Sequence, residues 1–179
     1  MTRAGDVFTL HDGETVTVRV AAADSGGELL EVDAEWAPIP TKPPVHLHPS
    51  QDERFEVREG ELSVHMHGTT HVLRAGDSLD VPRGTAHKMW NSGEVPTRAS
   101  WQVRPALRTE DFFRTVHELR AAGRHGKGGM LTPLGAAVVL REFSEEFRMA
   151  LPGAVQGPAF GLLAGLARLR GYPRPAPAA

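Results

Sequence analysis

Two segments of the sequence carry most of the information about its fold: Pro44-Val45-His46-Leu47-His48-Pro49-Ser50-Gln51-Asp52-Glu53, and Gly76-Asp77-Ser78-Leu79-Asp80-Val81-Pro82-Arg83-Gly84-Thr85-Ala86-His87. Together they contain three imidazoles, which are His46, His48 and His87. Side chains of an extended strand alternate between its two faces, so His46 and His48 point the same way. The spacing therefore predicts that both imidazoles face one interior.

A carboxylate joins these imidazoles. In the run 53–58, Glu53, Phe55 and Val57 share one face, and the charged residues between them lie on the other. A carboxylate on an apolar face is costly unless it is paired or bound to a metal. The same alternation places Asp52 on the solvent side. We therefore expect Glu53, and not Asp52, to be the carboxylate ligand.

The second segment supplies the last ligand. Pro82 and Gly84 predict a turn, and His87 then begins a strand in which Met89 and Asn91 share its face. The sequence thus predicts four ligands for one metal ion, and they are His46, His48, Glu53 and His87.

These segments resemble the two motifs of the cupin superfamily, G-x5-H-x-H-x(3,4)-E-x6-G and G-x5-P-x-G-x2-H-x3-N. The positions that match the two motifs are His46, His48, Glu53 and Gly60, then Gly76, Pro82, Gly84, His87 and Asn91. Pro40 stands where the first motif opens with a glycine, which is a turn residue and not a ligand. The resemblance covers about residues 25–104. Within the superfamily, the sequence is similar to a widespread bacterial group of single-barrel proteins with a helical tail. It implies a mainly β fold, a single jelly-roll barrel also called a double-stranded β-helix.

The hydrophobic pattern divides the chain at Pro105. Short alternating runs up to Val103 predict antiparallel strands of a barrel, residues 1–104. Beyond it, the pattern predicts a helical extension, residues 105–172, and a disordered Pro-rich tail, residues 173–179.

Three helices are expected in the extension. The first runs from Thr109 to near Gly123, and residues 123–129 read as a flexible linker. The second starts at Thr132-Pro133 and carries an apolar stripe of Leu140, Phe143 and Phe147. The third is expected from about Pro158 to Arg170.

Such short apolar helices are not stable alone in water. We expect them to pack on the barrel or on the partner in a homodimer. The sequence leaves open whether they form a structural flap, a dimer clasp or a mobile lid over the site.

Composition narrows the class of protein. The 179 residues include no cysteine, which excludes disulfides and thiolate metal sites. No apolar run suits a signal peptide or a membrane span, so we expect a cytoplasmic protein with no membrane partner.

Residues 1–103 carry a formal charge of -7 and residues 104–179 one of +5, which favours docking of the helical extension on the barrel. No helix-turn-helix pattern is present, so a nucleic-acid partner is not expected.

Five further residues share the interior parity of the ligands, and we predict them to line a substrate pocket: Trp36, Phe55, Val57, Met89 and Trp101. They are apolar or aromatic, and no Arg/Lys cluster accompanies them. This composition favours a neutral, planar, phenolic or enolic substrate over a phosphosugar. A second His-x-His pair, His65 and His67, falls on the outer face, and His11 has no partner at an informative spacing.

The ligand set suits one divalent metal ion, Fe, Mn, Ni or Zn, with an open position for substrate. The resemblance implies an enzyme, and we expect a dioxygenase-type oxidoreductase in which Glu53 doubles as a proton acceptor. Two alternatives stay open: a redox-neutral cyclase or isomerase, and a non-catalytic cupin that binds a small molecule.

Overall fold

The structure, a computed structural model, describes residues 1–39, 42–151 and 153–172, with the side chains of residues 153–156 left undescribed. Pro40, Pro152 and the tail 173–179, which the sequence predicts to be disordered, lie outside the described residues.

Ten strands precede the helical extension in the described part of the chain, and one short strand lies within it. The strands are β1 Val7–His11, β2 Glu14–Val20, β3 Leu30–Trp36, β4 His46–Leu47, β5 Asp52–Glu59, β6 Glu61–Met66, β7 Thr69–Arg74, β8 Ser78–Val81, β9 His87–Asn91, β10 Thr97–Arg104 and β11 Arg148–Met149. The α-helices are α1 Thr109–Ala121, α2 Pro133–Glu142 and α3 Gly153–Leu169.

The strands form two antiparallel sheets with the orders β1-β2-β3-β10-β5-β8 and β11-β4-β9-β6-β7. Residues in β3 alternate between buried and half-buried, with Leu30, Val32, Ala34 and Trp36 in the core. The same alternation recurs along β5 and β9, so each strand turns one side chain in two toward the space between the sheets. This is the mainly β barrel with a helical extension that the sequence predicts.

Two motif residues have structural roles at strand ends. Gly60 has a φ of 77°, and a Cβ there would lie 2.7 Å from the carbonyl oxygen of Pro96, so only glycine fits the turn between β5 and β6. The Asn91 amide donates to the carbonyl oxygens of Trp36 and Val95, and its Oδ1 accepts from the Gly93 N–H. Both residues therefore hold the ends of strands that carry site residues.

The helical extension packs on its own barrel. In α1, the Phe113 ring lies 6.5 Å from that of Phe8 in β1, and His117 Nδ1 accepts from the Thr9 N–H at 3.0 Å. A second apolar cluster joins the three helices, and its buried members are Val116, Leu119, Val138, Val139, Phe143, Ala167 and Tyr172. Most of the apolar stripes predicted from the sequence are thus buried within one chain.

The boundaries of the second and third helices differ from the sequence prediction. Helix α2 ends at Glu142, because the backbone leaves the helical conformation at Phe143, where φ is -108° and ψ is 39°. Helix α3 already starts at Gly153, so that Pro158 lies inside it. Proline removes one helical hydrogen bond, and the packing of α3 in the second apolar cluster outweighs that loss.

The segment 123–129, predicted as a flexible linker, contains the 3-10 turn Lys127–Gly129. The Asp12 N–H donates to the Gly128 carbonyl at 3.2 Å, which ties this turn to the β1–β2 hairpin. The linker prediction is wrong here because the glycines, with positive φ at Gly128, build a specific turn.

Candidate metal centre

Three strands bring the predicted ligands together. His46 begins β4 and pairs directly with His87, the first residue of β9, while His48 follows β4 and Glu53 lies in β5 of the opposite sheet. Ligand nitrogens of the three histidines lie within 4.8 Å of one another, so this triad can hold a metal ion. The structure thus brings together the four side chains that strand parity predicts to face one interior.

Each histidine uses Nδ1 to contact a backbone carbonyl oxygen. His46 Nδ1 lies 3.1 Å from Pro44 O, His48 Nδ1 lies 2.6 Å from Glu146 O, and His87 Nδ1 lies 3.0 Å from Thr85 O. A carbonyl oxygen can only accept, so Nδ1 carries the hydrogen in each ring. In the neutral tautomer Nε2 then presents its lone pair, which is the form that binds metals.

Glu53 completes the arrangement from the opposite sheet. Its Oε1 accepts from Trp101 Nε1 at 3.0 Å, which fixes the carboxylate, and its Oε2 lies 3.3 Å from His48 Nε2 and 3.1 Å from His87 Nε2. These two nitrogens and Glu53 Oε2 are buried and have no hydrogen-bond partner within the described structure. Buried polar atoms without partners are costly. One shared cation would satisfy all three, so the residues fit a divalent metal.

The shifted pKa values of His46 and Glu53 favour the binding of a cation. Burial, together with the neighbouring His87 and His48, lowers the pKa of His46 to about 3. Burial alone would raise the pKa of Glu53, but the surrounding imidazoles outweigh it and hold that pKa at about 2. At neutral pH His46 is therefore neutral and Glu53 ionised, which are the protonation states that metal binding needs.

A cavity of about 200 Å³ adjoins the histidines. Of the predicted pocket residues, Trp36, Met89 and Trp101 line it, whereas Phe55 and Val57 do not. Phe55 has the correct parity, but the Trp101 ring stacks on it with centroids 5.6 Å apart and separates it from the cavity. Both Phe55 and Val57 belong to the barrel core, with 0% and 1% of their surface exposed.

Asp52 and the second histidine pair lie elsewhere. Asp52 is on the outer face and forms an ion pair with Arg83, with Oδ2 at 2.6 Å from Nη2. His67 is exposed, and His65 contacts Thr70 Oγ1 at the surface. The structure thus separates these groups from the metal centre.

The sequence of the barrel matches a known family. Residues 34–103 match the cupin domain. Residues 34–103, the greater part of the barrel, form a cupin domain. The match includes the four residues of the candidate metal centre and ends before the helical extension.

Relatives of this chain include an oxalate oxidase and a polyketide synthase protein. The chain is 34% identical over 106 residues to oxalate oxidase 1 of Hordeum vulgare, covering 53% of this chain and 52% of the relative. It is 37% identical over 60 residues to the tetracenomycin polyketide synthase protein TcmJ of Streptomyces glaucescens, covering 34% and 40%. The chain thus spans about half or less of the length of these relatives.

Among solved structures, the fold is shared with a predicted oxalate decarboxylase from Thermotoga maritima. The TM-score is 0.50 at 16% identity, covering 57% of this chain and 92% of that chain. At this identity the likeness concerns the fold alone. No helix of the described residues is long and apolar enough to cross a membrane.

Residues outside the matched cupin domain also belong to the site, and the sequence reasoning missed them. The segment after α2 crosses the barrel, where Met149 pairs with His46 and the Glu146 carbonyl accepts from His48. The Phe147 ring stacks on the His46 ring, with centroids 4.6 Å apart and an interplanar angle of 19°. Since Phe143 and Phe147 are four residues apart, the sequence pattern indicated a helical stripe and gave no signal of this role.

Proposed function

We propose that this cupin domain binds one divalent metal ion through His46, His48, Glu53 and His87, and oxidises a small phenolic or enolic molecule with dioxygen. The proposal depends on three buried atoms that can bind a metal, His48 Nε2, His87 Nε2 and Glu53 Oε2. They have no hydrogen-bond partner within the described structure and lie around one point beside an apolar cavity. Relatives named as oxidases support the class of reaction.

Three imidazoles and one carboxylate suit Fe, Mn, Ni or Zn. When bound, such an ion supplies Lewis acidity and, if it is redox-active, the activation of dioxygen. The dioxygenase reaction requires one of the redox-active metals, so we propose Fe, Mn or Ni as the functional ion.

The residues around the ion would orient the substrate and exclude water. Phe147 and Trp101 provide flat apolar surfaces, and the Trp101 N–H holds the Glu53 carboxylate in place. We propose Glu53 Oε2 as the acceptor for the proton that the substrate hydroxyl loses and that the product carboxylate takes back. In the overall reaction, the carbon–carbon double bond that carries the substrate hydroxyl group breaks. Each of its carbons takes one atom of dioxygen, and no further reductant is required.

The cavity favours a neutral substrate. The described residues that line it include no Arg or Lys, and most are apolar or aromatic. A phosphorylated or carboxylate-rich substrate would have the metal ion as its only counter-charge among the described lining, and burial of its remaining negative charge would be costly. A planar molecule that chelates through hydroxyl or carbonyl oxygens fits the surroundings better.

A redox-neutral metal-dependent cyclase or isomerase is the second candidate. The similarity to a polyketide synthase protein, at 37% identity over 60 residues, favours it. The two functions differ in their need for oxygen and in the metals they tolerate, so one experiment separates them.

The test starts with metal analysis of protein purified without a His-rich tag. We expect about one equivalent of metal, which is lost in the double variant His46→Ala/His87→Ala and kept in the control His65→Ala. Oxygen uptake is then followed with catechols, enediols and β-diketones, and labelled dioxygen should appear in the product. Turnover without oxygen would favour the cyclase, and binding without turnover would favour a ligand-binding cupin.

We also propose that the protein is a homodimer. Three leucines on one side of α3 remain exposed within the chain: Leu162, Leu166 and Leu169. Light scattering should give twice the monomer mass, and substitution of Leu162 and Leu169 by Ser should halve it. Cytoplasmic location stays a prediction from the sequence.

A further inference from the structure

The cavity beside the metal centre has a second polar end. His11, at the end of β1, and Glu14, at the start of β2, both line it. His11 Nε2 lies 2.8 Å from Glu14 Oε2, and only 11% and 12% of these side chains are exposed. Glu14 Oε1 accepts from Trp36 Nε1 at 3.0 Å. The pair is therefore fixed in place within the cavity wall.

His11 has the same kinds of contact as His48 and His87, but its Nε2 lies closer to its carboxylate, at 2.8 Å compared with 3.3 and 3.1 Å. Its Nδ1 lies 2.9 Å from the Asp12 carbonyl oxygen, and its Nε2 faces a carboxylate oxygen. Both partners accept hydrogen bonds, so the His11–Glu14 pair must hold a proton on each of these contacts. The pair then consists of an imidazolium and a carboxylate and has no net charge. Arg120, which faces it from α1, is already paired with Asp12.

The two polar regions lie at different places along the barrel. Glu14 pairs with Trp36, and Trp36 pairs with Thr97, whereas Glu53 pairs with Val103 on the same strand β10. Thr97 and Val103 stand near opposite ends of β10. Between the two regions the lining is mainly apolar, with Trp36, Met89, Trp101 and Phe113 among its residues.

We propose that the His11–Glu14 pair binds a hydroxyl group at the end of the substrate that points away from the metal. This inference rests on the proposed function and adds a specificity determinant to it. A carboxylate offers about four acceptor positions, and two of Glu14's are used by His11 and Trp36. The remaining ones can accept from a phenolic O–H in the cavity. A substrate with hydroxyls at both ends would then bind in one orientation.

A purely structural role is the competing explanation, since the pair also ties the β1–β2 hairpin to β3. The two explanations differ in one measurable quantity, the ratio of affinities for two ligands that differ only in the distal hydroxyl. A structural pair affects both ligands equally, whereas a binding pair affects one of them.

The experiment uses the metal-loaded full chain and two probes: a catechol carrying a phenyl ring, and the same compound with a hydroxyl at the far end of that ring. Calorimetry should show about tenfold or tighter binding of the hydroxylated probe, the range for a hydrogen bond to a charged group. In Glu14→Gln, and independently in His11→Gln, this ratio should fall to about two or less. The control Thr15→Ser, which alters the same hairpin outside the cavity, should keep the ratio.

Equal affinity of the wild-type protein for both probes would overturn this inference and leave the metal proposal intact. A ratio that survives both Glu14→Gln and His11→Gln would do the same. If neither probe binds the metal-loaded protein, this inference and the proposed function both fail.

Discussion

Replacement of Phe147 by alanine tests whether the helical extension is part of the metal centre. Phe147 stacks on His46, packs edge-on against His48 at 5.7 Å, and stacks on Phe112 of α1 at 5.3 Å. Phe147→Ala should therefore weaken both the attachment of the extension and the coverage of the site.

The expected loss of stability follows from these contacts. Removing a fully buried phenylalanine costs about 3–5 kcal/mol, and Phe147 is only half-buried. The free energy of unfolding should therefore fall by about 2–3 kcal/mol. For a chain of this length each kcal/mol lowers Tm by about 2–4 °C, so the melting temperature should fall by roughly 4–12 °C.

The effect on the metal is measured by competition with a coloured chelator. Loss of the ring that covers His46 should accelerate metal release by about tenfold or more, because water and chelator reach the ion more easily. Phe147→Leu keeps most of the apolar volume and should release metal at an intermediate rate. Glu118→Ala, at an exposed position of α1, is the control for substitutions in the extension.

An unchanged release rate in Phe147→Ala, with a Tm within about 1 °C of the wild type, would refute this reasoning. It would show that the extension lies beside the site without contributing to it. A large fall in Tm with unchanged release would restrict the role of Phe147 to packing.

Three further predictions concern the ligands and the extension. Glu53→Ala should lose the metal, whereas Asp52→Ala, which breaks only an exposed ion pair, should keep it and change stability by less than about 1 kcal/mol; the reverse pattern in elemental analysis would invalidate the parity argument. Burial lowers the pKa of His87, but the Glu53 carboxylate outweighs burial, and the pKa of His87 in the folded protein is raised. Protonation of His87 therefore stabilises the metal-free fold at a pH below the pKa of His87 in the unfolded chain. This stabilisation is lost as the pH rises through the pKa of His87 in the folded protein. Because that proton competes with the metal, the gain in Tm on adding metal should be larger at pH 8 than at pH 6. Deleting residues 105–179 should give an insoluble or unfolded protein, since burying even three of the large apolar side chains of the extension contributes roughly 5–9 kcal/mol; a soluble barrel with unchanged Tm would contradict this.

Much of the site was predictable because strands have a fixed period. Two-residue alternation assigns His46 and His48 to one face, and it distinguishes Glu53 from Asp52 without any knowledge of the sheets. The turn residues Pro82 and Gly84 indicate where the strand of His87 begins. These are local properties, which a sequence expresses directly.

Other features depend on contacts between distant segments, and the sequence does not express them. Phe143 and Phe147 have helical spacing, yet both follow the end of α2 at Glu142. The chain continues there into β11, which pairs with β4, about a hundred residues earlier in the sequence. Phe55 has interior parity, but the Trp101 ring, from a neighbouring strand, separates it from the cavity.

The sequence by itself determined the barrel, the helical extension and the four candidate ligands, because hydrophobic alternation and turn residues act over a few positions. Only the tertiary structure decided that His48 is oriented by the Glu146 carbonyl, that Phe147 covers His46, and that His11 and Glu14 line the same cavity. Each of these contacts joins segments that are far apart in the sequence, and the periodicity of the sequence gives no information about contacts at that distance. They form because burial of apolar surface brings the extension and the β1–β2 hairpin against the barrel.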